Sequence, residues 1–263
     1  KAMDRYTEVI YDALGWVFFH EGKIDRADKH LSKAYSLNNE SRENIYHMGR
    51  LHEKKKEHLQ AEEYYAKGAG MKGRGDNANV SALKSLYVKM HGNTEGYDSY
   101  LAELNNENEA ERKKEILANS KKDPQPVEPF KLKSLEGQMY SSTQLSDQIT
   151  VLNIWGIWCG PCVEEMPDIQ KIHEKYSENP EVEVLTINND PSIEKVRSWM
   201  NERDFDFPVL RDDGYLTKEA GVRVFPTTWF LDSDGEIVFV KEGYTEELIK
   251  EFTWRIKALQ KSN

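Results

Sequence analysis

Val151-Leu152-Asn153-Ile154-Trp155-Gly156-Ile157-Trp158-Cys159-Gly160-Pro161-Cys162 is the most informative stretch of this 263-residue chain. Its first half, with Thr150–Trp155 rich in β-branched and aromatic residues, predicts a buried strand. Immediately downstream, Val163, Met166, Ile169 and Ile172 recur at helical spacing and predict a helix over Pro161–Tyr176. The chain's two cysteines therefore stand where a strand hands over to a helix. There the unpaired N–H groups and the helix dipole favour an anion at Cys159. A thiolate is the nucleophile of disulfide exchange, and lowering its pKa from ~8.5 toward neutrality makes it reactive at pH 7. Cys162, one turn on and on the same face, can attack a mixed disulfide formed at Cys159. Pro161 lacks an N–H and suits the first turn, where no helical bond is lost. Cysteines three positions apart cannot staple a fold. A zinc site would need a second Cys pair or Cys/His pair at suitable spacing, and His52-Glu53 with His58 does not supply it. A permanent structural bridge over so short a loop would add little stability.

Outward from this stretch, Val182–Asn188 predicts a second strand. A helix over Ile193–Arg203 is opened by Asp190-Pro191-Ser192 as cap and first turn. Thr227–Leu231 and Ile237–Val240 flank Asp234-Gly235, a hairpin signal, and Glu246–Lys261 predicts the last helix. With Val151–Cys162 as it stands, this βαβ-hairpin-helix order resembles the thioredoxin superfamily. Val163-Glu164-Glu165-Met166-Pro167 narrows the resemblance to the TlpA/ResA branch of extracytoplasmic bacterial thiol–disulfide oxidoreductases. Phe130-Lys131-Leu132 through Leu145 is similar to the N-terminal hairpin such domains add. The resemblance covers residues 124–263.

The resemblance implies a mixed sheet flanked by helices, with Cys159 as nucleophile, Cys162 as resolving thiol and no cofactor beyond this dithiol. Asn153 occupies the place where thioredoxins bury an aspartate that moves protons for the buried cysteine. Glu165 stands where the ResA-like branch has a functional glutamate, and partial burial would raise its pKa into a useful range; Glu164 is expected to face solvent. Phe225-Pro226-Thr227 matches the superfamily's cis-proline turn, which faces the dithiol and leaves the backbone of Phe225 free to pair with an extended substrate. Trp158, Gly160 and Pro161 complete the expected substrate-facing surface. The implied substrates are protein thiols and disulfides, with an upstream dithiol as electron donor. The Gly-Pro dipeptide matches thioredoxin itself and suggests a reducing couple. No peroxidatic cysteine precedes the dithiol, which disfavours peroxidase chemistry.

The first half predicts helices and an internal repeat. A shift of 34 residues lays Leu14-Gly15 on Met48-Gly49, Ala27 on Ala61, Leu31 on Tyr65 and Ala34 on Gly68. Small residues at this period resemble the tetratricopeptide family over residues 4–72. The expected helix pairs are Met3–Glu21 with Ile24–Leu37, and Arg42–Lys56 with His58–Gly70. His52 departs from the usual large apolar or aromatic residue. Two units cannot bury a solenoid core alone, so helices near Val80–Met90 and Thr94–Leu117 are expected to cap them. Gly68–Asp76 follows a helix and lacks the Lys-Ser/Thr ending of a phosphate loop; with its Arg74-Gly75-Asp76 tripeptide it is expected as a turn. Pro124, Pro126 and Pro129 predict a semi-rigid spacer. The expected organisation is an α plus α/β two-domain chain: helical repeats over 1–118, linker over 119–129, thioredoxin-like domain over 130–263.

Residues 1–123 balance 21 basic against 21 acidic residues, so the net charge of −10 lies wholly after them. That acidic half argues against nucleic acid as a partner. Mean hydropathy of −0.77 and the absence of a long apolar run argue against a membrane-spanning segment; no signal peptide is visible at Lys1. Two functions are expected: a thiol–disulfide oxidoreductase, acting as a reductase, whose repeats bind a partner or a second copy, or a scaffold whose thioredoxin-like domain only docks.

Overall fold

The computed structural model describes residues 2–39, 41–71 and 76–261, with side chains from residue 6 onward. Arg74 and Gly75 of the Arg74-Gly75-Asp76 tripeptide lie outside the described residues. The chain divides into two compact units, residues 1–111 and 112–263.

The first unit is helical: α1 Ala2–His20, α2 Ile24–Leu37, α3 Arg42–Lys54, α4 His58–Ala69, α5 Ala78–His91, and α6, which spans Tyr97–Ala118 and crosses the division. The 34-residue period has a physical cause. A Cβ on Gly15 would lie 2.7 Å from the Leu31 side chain, and a Cβ on Gly49 would lie 2.3 Å from the Tyr65 ring. The same close approach of helix to helix thus recurs one repeat later, and only glycine permits it. Ala27, Leu31, Ala34, Ile45, Met48, Leu51, Ala61 and Tyr65 form the buried seams. α5 continues the stack, with Asn79 filling the space a side chain on Gly68 would need. His52 is accommodated by stacking on Tyr64, ring centroids 5.1 Å apart, with Nδ1 2.7 Å from Glu57 Oε2. α6 is largely solvent-facing, as its Glu, Asn and Lys content predicts.

The second unit contains β1 Lys131–Ser134, β2 Met139–Ser141, β3 Ile149–Trp155, α7 Gly160–Tyr176, β4 Val182–Asn188, α8 Ile193–Asn201, β5 Val209–Arg211, α9 Tyr215–Lys218, β6 Thr227–Leu231, β7 Ile237–Glu242 and α10 Leu248–Leu259. The seven strands form one sheet in the order β2-β1-β5-β4-β3-β6-β7. β4 runs parallel to β3 and β5, while β6 is antiparallel to β3 and β7. β3 is buried along its whole length, which explains why apolar residues stand on both of its faces rather than alternating with exposed polar ones. Its odd-numbered residues Ile149, Val151 and Trp155 join Met166, Ile169 and Ile172 of α7 and Phe252 and Ile256 of α10 in one core. Leu152 and Ile154 join Leu185, Ile187 and Trp229 in the core on the opposite face. β5 and α9, with three and four residues, are not foretold by the sequence pattern; neither is long enough to display a period.

One expectation is corrected. The proline-rich segment is extended, but over residues 121–127 it is not a free spacer. Lys121 N–H donates to Val238 O at 2.8 Å, Ile237 N–H donates to Gln125 O at 2.8 Å, and Pro126 bridges to Glu236. Val127 is buried. Extended backbone beside an edge strand satisfies that strand's outward polar groups, so the segment is fastened to the start of β7, at residues 236–238.

Candidate active site

Cys159 is the N-cap residue of α7, with extended backbone, and its Sγ accepts from the Cys162 N–H at 3.2 Å. A cap residue's side chain normally takes up one of the helix's orphan N–H groups; here a sulfur does so, which stabilises negative charge on it. The two cysteines are joined as a disulfide, their Cα atoms 5.2 Å apart. Gly160 and Pro161 occupy the first turn and are exposed. Cys159 retains 6 % exposure and Cys162 none, so the first sulfur is the one a partner can reach.

Trp158 is 59 % exposed, and its ring meets Phe225 edge-on at 5.1 Å. The exposed indole offers apolar surface next to Cys159 in the chain. Gly156 makes room for that indole, since a Cβ there would lie 2.4 Å from Trp158 Nε1. The Phe225–Pro226 peptide bond is cis. Pro226 O accepts from Gly243 N–H at 2.8 Å, tying the turn to the end of β7. The loop before Cys159 is anchored by Asp190, whose Oδ2 accepts from the Ile157 N–H at 2.7 Å and from Asn188 Nδ2 at 2.9 Å. Asp190 thus serves this loop, and Ser192 caps α8.

Beneath the disulfide lies a buried polar row. Asn153, fully buried on the α7 face of β3, donates from Nδ2 to Glu165 Oε1 at 2.7 Å and to Thr228 Oγ1 at 2.9 Å. Its Oδ1 is buried without a hydrogen-bond partner. Glu165 is 1 % exposed, while neighbouring Glu164 faces solvent. One turn separates Glu165 from Cys162, so the acid and the buried sulfur share the inner face of α7. Burial pushes the Glu165 carboxyl up to about 8, and the Asn153 hydrogen bond and the Lys241 charge only partly oppose this. A carboxyl group that titrates near neutrality can both take and give a proton there.

The expected residues Cys159, Cys162, Trp158, Gly160, Pro161, Phe225 and Pro226 therefore fall at one end of the sheet, with Glu165 below. Thr228, Lys241, Gly156 and Asp190 do not stand out in the sequence as site residues. The first two join the site only through strand register, which leaves no local signature.

The helical unit also brings together ligand-type atoms of Asp12, Glu43 and His47, all within 4.8 Å of one another. His47 Nδ1 is hydrogen-bonded to Asp12 Oδ1 at 2.8 Å and its ring stacks on Trp16 at 3.8 Å. The Nδ1 edge and the ring face are thereby used in packing α1 on α3.

The second unit is similar to known proteins. The model of the AhpC/TSA family matches residues 124–240. The thiol-disulfide oxidoreductase ResA of Halalkalibacterium halodurans is 36% identical over 131 residues, covering 49% of this chain and 73% of that protein. The thioredoxin-like protein YneN of Bacillus subtilis is 32% identical over 120 residues, covering 45% of this chain and 71% of its own. Among solved structures, StoA from Bacillus subtilis is similar at 28% identity over 47% of this chain and 96% of its own, with a TM-score of 0.42. The chain belongs to the ResA family of thioredoxin-like thiol–disulfide oxidoreductases.

Proposed function

We propose that the Cys159–Cys162 pair exchanges disulfides with protein substrates in the reducing direction, with Glu165 as proton carrier. The observation that carries this is a partly accessible sulfur at a helix N-cap with a resolving sulfur and a near-neutral buried acid, each a turn further on.

In the reduced enzyme the Cys159 thiolate attacks one sulfur of a substrate disulfide, forming a mixed disulfide and expelling the other sulfur as a thiolate that takes a proton from solvent. The Cys162 thiol then loses its proton to the Glu165 carboxylate and attacks Cys159 Sγ. The enzyme disulfide forms, and the second substrate sulfur leaves and is protonated. Two electrons pass from the enzyme dithiol to the substrate, and an upstream dithiol donor restores the starting state. Phe225 and the cis turn at Pro226 offer backbone to an extended substrate, while Trp158 offers apolar surface.

The helical unit is read as a tetratricopeptide-like module that binds a protein partner or a second copy. Exposed Tyr6, Val9, Ile10, Leu14 and Val17 on α1 support that reading. The site of action is read as outside the cytoplasm, by likeness to the family; among the described residues no helix is long and apolar enough to cross a membrane.

The test is reduction of insulin by dithiothreitol, wild type against Cys159→Ser. A wild-type rate no greater than that of the variant would sink the enzymatic reading.

A further inference from the structure

Strand register places a cation on the buried polar row. Asn153 pairs with Thr228 across β3 and β6, and Thr228 pairs with Lys241 across β6 and β7. Directly opposed residues of antiparallel strands project from the same face with Cβ atoms ~5 Å apart. The alternation agrees, because Thr228 lies two residues before Phe230, and Lys241 two after Phe239, both in the core beneath α7 and α10. The Lys241 side chain is half-buried, and its Nζ donates to Glu242 O and Gly243 O, each at 3.0 Å. Gly243 is the residue that holds the carbonyl of the cis proline.

We propose that Lys241 is a positioning residue of the exchange reaction: its ammonium, held by two backbone carbonyls at the end of the row Asn153–Thr228–Lys241, governs how readily Glu165 gives up its proton and couples that acid to the cis-proline turn. The proposal rests on the proton-carrier role of Glu165 in the exchange cycle. The other groups facing this pair do not replace the cation. On α7, Asp168 adds negative charge. On α10, Glu251 is engaged by Arg255 Nη1 at 3.5 Å and by Arg112 Nη2 of α6 at 2.5 Å. β3 and β6 present neutral Asn153 and Thr228. Lys241 is therefore the positive charge that favours the Glu165 carboxylate, and burial in turn lowers the proton affinity of Lys241 itself.

The experiment follows the Glu165 carboxyl by carbon-13 NMR across pH 5–10 in the full-length oxidised chain, where neither cysteine titrates, together with the pH profile of insulin reduction. Lys241→Met should raise the carboxyl midpoint and the profile by about one pH unit, and Lys241→Arg should restore both. In a Glu165→Gln background, Lys241→Met should not move the profile further. A folded Lys241→Met protein whose carboxyl titrates as in the wild type overturns the proposal. If instead Glu165→Gln exchanges at the wild-type rate, the proton-carrier reading itself fails, and Lys241 loses its role in the reaction whatever the carboxyl midpoint does. Should Lys241→Met not fold, Lys241→Gln decides by the same two readings.

Discussion

Asp12 in the helical unit and Glu165 in the redox unit are both buried carboxylates, and the two are treated differently. In the helical unit Asp12 meets His47 at 2.8 Å, and Trp16 stacks on the imidazole. Acid and base complete one another, and the pair serves to hold two helices. In the redox unit Glu165 meets a neutral amide, and its cation stands off at the end of a strand row. Burial there is only partly offset, so the carboxyl is pushed up to about 8. Matched burial makes structure; unmatched burial leaves a group that can change its charge at working pH.

The difference can be broken or sharpened by substitution. The largest effect is expected at the dithiol: Cys159→Ser should lower insulin reduction by about a thousandfold while leaving the helical content measured by circular dichroism unchanged. Next, Gly49→Val should destabilise the helical unit by about 2–4 kcal/mol, because the side chain would be driven into the Tyr65 ring. Urea unfolding of the whole chain followed by circular dichroism would read this loss, and the exchange rate of the folded protein should not follow it. Glu165→Gln should slow exchange by about ten- to a hundredfold.

Glu165 also predicts a pH dependence of stability. Its folded pKa is raised above the unfolded value, so between pH ~4.5 and ~8 the folded state holds more proton than the unfolded one. Stability is then greatest below this window and falls as pH rises through about 8. Denaturation midpoints of the oxidised protein at pH 5, 7 and 9 should decline in the wild type and decline less in Glu165→Gln. In the helical unit, His47→Ala should cost about 1–3 kcal/mol and leave the pH profile of exchange as it was. The smallest effect belongs to exposed Glu164→Gln, within about 0.5 kcal/mol in stability and twofold in rate.

Much of this contrast is legible in the sequence. Strand-to-helix passage around the cysteines, the 34-residue period and the hairpin at Asp234-Gly235 are local patterns, and the elements form where those patterns lie. Glu165 can be told from Glu164 by the resemblance to the ResA-like branch and by standing one turn from Cys162. Lys241 cannot be found in this way. Its membership of the site depends on two successive strand registers linking residues 153, 228 and 241. Asp190 is expected to open α8 because Asx-Pro-Ser is a helix-start pattern. Its carboxylate accepts from the Ile157 N–H instead, a choice made by tertiary contact. The proline-rich segment announces extended backbone but not which strand it will lie against.

That segment has a consequence for how the protein behaves at high concentration. β7 is an outer strand of the sheet, and an uncovered outer strand is a template on which another chain can add and begin an aggregate. Residues 121–127 lie against the start of that strand, at residues 236–238, and Pro124 and Pro126 within them have no N–H to offer a newcomer. The opposite margin, β2, is three residues long. At β2 and at the start of β7 the sheet therefore ends in backbone poorly suited to growth.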